Sequence, residues 1–183
     1  MPTLGVNIGI LDDRNRLLLA RREDFDIWCL PGGGVELGET LAQAARREAQ
    51  EETGLEVALT RLVGVYSRPG ASRFSGHIFV FAARPIGGML TAQLGETTEA
   101  RFFEQDDLPA DLVQLAPLRI RNIMHGLGGS AVWAIHQDWP FPPEMTRGEI
   151  YAQRDAYGLL RNAFYRAYFR QVQPGDETDE LEM

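Results

Sequence analysis

The stretch from Pro31 to Leu55, PGGGVELGETLAQAARREAQEETGL, restricts this chain more than any other. It opens on Gly32, Gly33 and Gly34 and closes on Arg47-Glu48-Ala49-Gln50-Glu51-Glu52-Thr53-Gly54-Leu55. The spacing predicts a helix from about Thr40 to Thr53, started by Glu39-Thr40 and stopped by Gly54 in the left-handed region. Positions three and four apart share a helix face, so Glu48, Glu51 and Glu52 form one acidic strip. Like charges at that spacing repel, and a hard divalent cation with oxygen preference offsets the cost. The strip therefore reads as a Mg²⁺ or Mn²⁺ site. Glu48 and Glu52, one turn apart, are the leading metal ligands; Glu51 binds a further ion or positions the others. Arg47, four residues before Glu51, pairs with it and fixes its orientation. The glycines permit close backbone approach to an anion at a helix start, which makes Gly33 and Gly34 candidate substrate contacts.

The same residues resemble the Nudix box, G-x5-E-x7-R-E-U-x-E-E-x-G-U with U aliphatic. The matches are Gly33, Glu39, Arg47, Glu48, Ala49, Glu51, Glu52, Gly54 and Leu55. Ala49 is smaller than the usual residue at the first U and implies tighter packing there. Trp28 and Leu30-Pro31-Gly32-Gly33 fit the common lead-in. A run such as RREAQEETG alone reads as a solvated helix face; the glycines, Glu39 and the fixed spacing favour the box. The resemblance implies an α+β fold, an α/β/α sandwich around a mixed sheet. It also implies metal-dependent hydrolysis of a diphosphate bond in a nucleoside diphosphate linked to another group, with more than one ion once substrate is bound. Glu39 is then either a supporting carboxylate or a helix cap. The general base differs between members of the family. Here it is Glu51 or Glu96, with Arg47 supporting the catalytic group, or no protein base is needed because the metals generate hydroxide.

Net charge is −8, and every basic residue is Arg, none Lys. Nucleic-acid and membrane surfaces call for a positive field, so neither is an expected partner; the small nucleotide-type partner is what the resemblance implies. The single cysteine, Cys29, excludes an internal disulfide and reads as a small core residue. The N-terminus has no charged region followed by an apolar one, and no apolar run is long enough to span a bilayer; a cytoplasmic location is expected.

In chain order, Leu4–Leu11 and Arg16–Arg22 read as a hairpin across Asp12-Asp13-Arg14-Asn15. Arg21 and Arg22 are candidate phosphate contacts, of which at most one is expected to act; Trp28 reads as core-edge packing. Glu56–Tyr66 and His77–Arg84 read as strands, and Pro85–Gly88 as a turn. Glu96, with Glu99 as substitute, is the candidate extra carboxylate before the Phe102-Phe103 strand. Asp106-Asp107 starts a turn or caps a helix. Ala116–His125 reads as a helix opened by proline and closed by Gly126. Pro69 lies about where ADP-ribose-cleaving members of the resembled family often carry a proline, a one-residue hint. His77, His125 and His136 have no metal-ligand spacing; His77 touches substrate or is structural.

The expected organisation is a Nudix-like domain at 1–126, an aromatic-rich helical extension at 127–173, and a disordered acidic tail at 174–183. Ala131–Trp139 reads as a strand, and Glu144–Gln171 as one long helix or two. Phe164 with Tyr168, and Tyr165 with Phe169, give the extension a broad apolar face. That face needs a cover, either its own domain or a second copy in a homodimer. The rival functions are a catalytically silent nucleotide sensor or scaffold, a structural Ca²⁺ protein, and RNA cap removal, the last disfavoured by the net charge.

Overall fold

The computed structural model describes residues 3–68, 76–93, 95–129, 132–135, 139–158, 160–169 and 177–179. Pro69, His136 and most of the acidic tail lie outside the described residues. The elements in chain order are β1 (Thr3–Ile10), β2 (Leu17–Arg22), β3 (Ile27–Cys29), α1 (Leu41–Thr53), β4 (Leu55–Arg68), β5 (Gly76–Gly88), β6 (Thr97–Phe103), α2 (Ala116–Met124), β7 (Val132–Ile135), α3 (Arg147–Ala156), α4 (Arg161–Tyr168) and β8 (Glu177–Asp179). A mixed sheet runs β1-β5-β4-β7-β8, and an antiparallel sheet runs β3-β2-β6.

Period-two alternation explains the layering. Val6, Ile8, Ile10 and Leu18 point to one apolar cluster, which Ala44, Ala45 and Ala49 of α1 close. Leu17, Leu19, Val80 and Ala82 point to another, closed by Leu118, Ile120 and Ile123 of α2. One helix thus covers each side, giving the expected α+β Nudix-like arrangement. Ala49 is fully buried, so the small residue at that box position packs helix against sheet at close range.

The predicted hairpin of the first two strands does not form as a ladder. The turn exists: Asp12 accepts from the N–H groups of Arg14 and Arg16. A single bridge, Leu11 to Leu17, then links the strands. β1 pairs parallel with β5, and β2 pairs with β3 and β6. Both strands are apolar on two faces, with Ile8, Ile10, Leu17, Leu18 and Leu19 unexposed, so each is covered from both sides in its own sheet. The predicted turn at Pro85–Gly88 is instead the end of β5. Pro85 sits where the β4–β5 register shifts, and a bulge tolerates the missing N–H.

The final third divides as two helices, with capping at Thr146 by Glu149. Its aromatic face is covered by its own domain: Phe141, Ile150, Phe164, Tyr165 and Phe169 enclose Ile27. Polar ties fasten it. Tyr151 Oη donates to Asp24 (2.8 Å), Arg161 to the Glu23 carbonyl (2.6 Å), and Arg154 to the Asp24 carbonyl. The extension is not purely helical, since β7 joins β4 in the main sheet. The tail is not wholly disordered either: Glu177–Asp179 pairs antiparallel with β7 and covers an edge that would otherwise stand open.

Candidate active site

The glycine stretch is fastened along β1. Val6 N–H donates to Gly33 O (2.9 Å), Ile8 N–H to Pro31 O (2.9 Å), and Val35 N–H to Leu4 O (3.0 Å). A Cβ at Gly32 would collide with the Val6 carbonyl, and one at Gly33 with the Glu48 carboxylate. Glycine here is a matter of space: the loop lies directly against the acidic face of α1.

Helix α1 begins where the sequence predicts. Thr40 and Gln43 form a reciprocal capping box, so Thr40 is the cap and Glu39 is not. Gly54 ends the helix at φ 70°. Arg47 binds Glu39 (2.7 Å), Glu48 (2.8 Å), Glu51 (3.1 Å) and the Gly34 carbonyl (3.0 Å). The predicted partner, Glu51, is therefore one of three carboxylates on this guanidinium. Together these bonds lock the glycine loop to the helix.

The three predicted carboxylates diverge in environment. Glu48 is 12 % exposed and Glu51 is 49 % exposed. Glu48 and Glu52 line a cavity of about 620 Å³, together with Glu96, Arg22 and the glycine loop. Glu51 is not on that wall. Burial pushes Glu52 up to about 7; the Gly32 N–H (2.9 Å) opposes this, while the charges of Glu48 and Glu96 add to it. Burial likewise raises Glu48, with Arg47 opposing. Glu96 lines the same cavity, and its carbonyl accepts from Glu23 N–H (2.9 Å). Glu99, the substitute, faces Arg21 (4.0 Å) and Arg101 (3.8 Å) away from the cavity.

Neighbouring positions on β2 likewise point to opposite faces. Arg22 lines the cavity, held by two bonds to Asp24 (2.9 and 2.6 Å). Arg21 pairs with Asp26 (2.7 Å) and lies over Trp28. Of the two candidates, Arg22 is the one in position. Trp28 is buried edge-on against Phe103, as expected of core-edge packing. Cys29 is part-buried and its thiol is pushed up to about 12 by burial, which suits a structural residue. His77 bonds Ser67 (3.0 Å) and is not on the cavity wall.

A divalent cation fits this donor set. Two carboxylates one turn apart, one of them costly to ionise, share the cavity lining with a third. Among the described residues no three acids, histidines or cysteines close into a ready-made cage. That suits an ion which keeps waters and takes substrate oxygens for its remaining positions. Gly33 and Gly34 carbonyls already accept from Val6 N–H and Arg47.

Sequence reasoning missed Arg119. It lies on α2, 7 % exposed, at the inner wall of the cavity. Its place in LAPLRIRNIMH carries no signal of its own; only the packing of α2 under the sheets brings it there.

The NUDIX domain model matches residues 1–124. The ADP-ribose pyrophosphatase of Methanocaldococcus jannaschii is 41 % identical over 59 % of this chain and 65 % of its own length. The human 8-oxo-dGDP phosphatase NUDT18 is 36 % identical over 63 % of this chain, which spans about a third (34 %) of that relative. The crystal structure of a NUDIX hydrolase from Nitrosomonas europaea superimposes with a TM-score of 0.65 at 27 % identity, covering 73 % of this chain and 78 % of that one. The chain belongs to the NUDIX family, and its class of enzyme is the Nudix-type diphosphate hydrolase. No helix among the described residues is long and apolar enough to cross a membrane.

Proposed function

We propose that this chain hydrolyses the diphosphate bond of a small nucleotide-type substrate, a nucleoside diphosphate linked to another group. The observation that carries the reading is the meeting of Glu48, Glu52 and Glu96 at one cavity that Arg22 also lines. Relatives acting on ADP-ribose and 8-oxo-dGDP support the substrate class in its broad form. In the reaction, a water oxygen bonds to one phosphorus as the bridging P–O bond breaks; the water's proton leaves to a base and the departing phosphate takes the electron pair.

Glu48 and Glu52 would hold Mg²⁺ or Mn²⁺. When bound there, such an ion would supply neutralisation of phosphate charge and a more acidic water. Glu96, exposed on the cavity lining, takes the water proton; Glu51, outside the cavity wall, is assigned a supporting place through Arg47. Arg22 turns its remaining donors to a phosphate, its orientation fixed by Asp24. Gly33 and Gly34 allow the substrate to approach the helix. The extension's aromatic face is already covered within the chain, which removes the main physical reason to expect a homodimer through it.

The test is chromatography of reactions with nucleoside triphosphates, nucleotide sugars, ADP-ribose and dinucleoside polyphosphates, with Mg²⁺ or Mn²⁺, beside Glu52→Gln. Turnover of one class that vanishes in the variant is the expected result. A folded, metal-binding protein that turns over nothing would favour a silent nucleotide sensor.

A further inference from the structure

Behind the carboxylate cavity lies a second chamber of about 380 Å³. The two share the glycine loop, Asn7, Arg22 and Arg119 along one wall. The character of the lining changes sharply between them. Among the described residues, no Asp or Glu lines the second chamber. Its far wall is built by the last third of the chain, from Trp139, Tyr165 and Phe169 packed beside Phe25. Tyr165 is pinned in place by the Gln114 N–H (3.0 Å).

Two cations face this aromatic wall. Arg119 spends one nitrogen on Asn7 Oδ1 (2.6 Å) and rests over Tyr66, but its buried Nε has no acceptor. Arg68 lies over Trp139, 5.6 Å from the ring centre. No carboxylate among the described residues pairs with either. Burial lowers both, Arg119 to about 10. A buried guanidinium is a donor-only group, and an unpaired donor in an apolar setting is costly until an acceptor arrives.

We propose that this chamber, closed by the C-terminal extension, holds the nucleoside ring of the substrate, and that Arg119 and Arg68 select a ring presenting acceptor oxygens, an oxopurine such as guanine, over adenine. The assignment rests on the hydrolase reading only for the position of the diphosphate. The flat aromatic wall and aliphatic floor suit a ring better than a bare phosphate, which would strip its hydration against Trp139 and Phe169. A guanidinium fork matches the O6 and N7 acceptors of guanine. Adenine offers an amino donor at the position of O6, so donor would meet donor.

The test is titration calorimetry of the full chain in EDTA with GMP, AMP and inorganic phosphate, none of which contains a scissile diphosphate. GMP is expected to bind about 10-fold tighter than AMP or better. Arg119→Met and Arg68→Met are each expected to shrink that ratio toward one. Arg68→Met is the safer variant, since Arg68 lies nearer the surface. Arg119→Lys is expected to lose the ratio too, because it keeps charge without the fork. AMP binding as tightly as GMP overturns the proposal, as does phosphate displacing GMP at matching concentration. A GMP preference in a chain that hydrolyses no nucleotide would uphold the chamber and remove the hydrolase reading. Nucleotide hydrolysis without base preference would do the reverse.

Discussion

The two chambers differ in how they are made. The carboxylate face of the first cavity comes from one continuous stretch, the glycine loop and α1 joined by the bond from Gly32 N–H to Glu52, while Arg22, Glu96, Arg119 and, from the extension, Arg147 and Tyr151 complete its lining. The aromatic chamber draws on β4, α2 and the far end of the chain, brought together only by tertiary packing. The first is dictated by local spacing and its chemistry is shared with a family. The second depends on how the last third docks on the loop at 23–26, through contacts such as Tyr151 to Asp24 and Arg161 to Glu23. Chemistry and selectivity are thus physically separable, and they meet at Arg22 and Arg119.

The sharpest way to break this division is Glu52→Gln. Loss of the buried carboxylate is expected to cut kcat about 10³-fold with nucleotide and Mg²⁺, the size typical of removing a group that stabilises transition-state charge. Circular dichroism and GMP binding should be unchanged. A matching loss of GMP binding would show that the chambers are one unit.

Phe164→Ala attacks the other side. Phe164 is wholly buried between Phe141, Tyr157 and Tyr168. Its removal is expected to destabilise the chain by about 3–5 kcal/mol in denaturant titration. In the surviving folded protein, KM should rise while kcat holds. A fall in kcat at constant KM would mean the extension reaches the chemistry itself.

This contrast also decides what was legible in the sequence. The helix at 41–53, its Thr40 start, its Gly54 stop and the inward carboxylates Glu48 and Glu52 all follow from fixed spacing. The choice of Arg22 over Arg21 follows from strand direction, which needs a register that the sequence does not state. The hairpin error has the same root. An apolar strand carries no mark of its partner, so β1 and β2 look adjacent when they belong to different sheets. Arg119 and Arg68 have no motif at all, and β8 hides in an acidic tail whose composition alone argues against structure.

Protonation of Glu52 gives a prediction without substrate. Its folded value, about 7, stands above the ordinary 4.5 of the unfolded chain. Between those values the folded state holds more protons, so stability falls as pH rises. In EDTA, the folded chain should lose about 3 kcal/mol or somewhat less between pH 4.5 and pH 8 from this group. Glu52→Gln should flatten that slope, and Mg²⁺ at pH 8 should restore stability to the unsubstituted chain. An identical pH profile in the variant would mean that Glu52 ionises in the folded chain as freely as in the unfolded one.

The smallest expected effect separates neighbours. Glu51 and Glu52 are adjacent, but Glu51 is half-exposed and bound to Arg47, outside the cavity wall. Arg47 retains Glu39 and Glu48 when Glu51 is lost. Glu51→Gln is therefore expected to lower kcat by less than about 10-fold, with stability changed by under about 1 kcal/mol, the range of a partly exposed ion pair. A loss as large as that of Glu52→Gln would mean that Glu51 turns inward when ion and substrate bind, and it would then replace Glu96 as the leading base. An additional Glu96→Gln variant settles which of the two takes the proton, because the base alone should alter the lower limb of the pH–kcat profile.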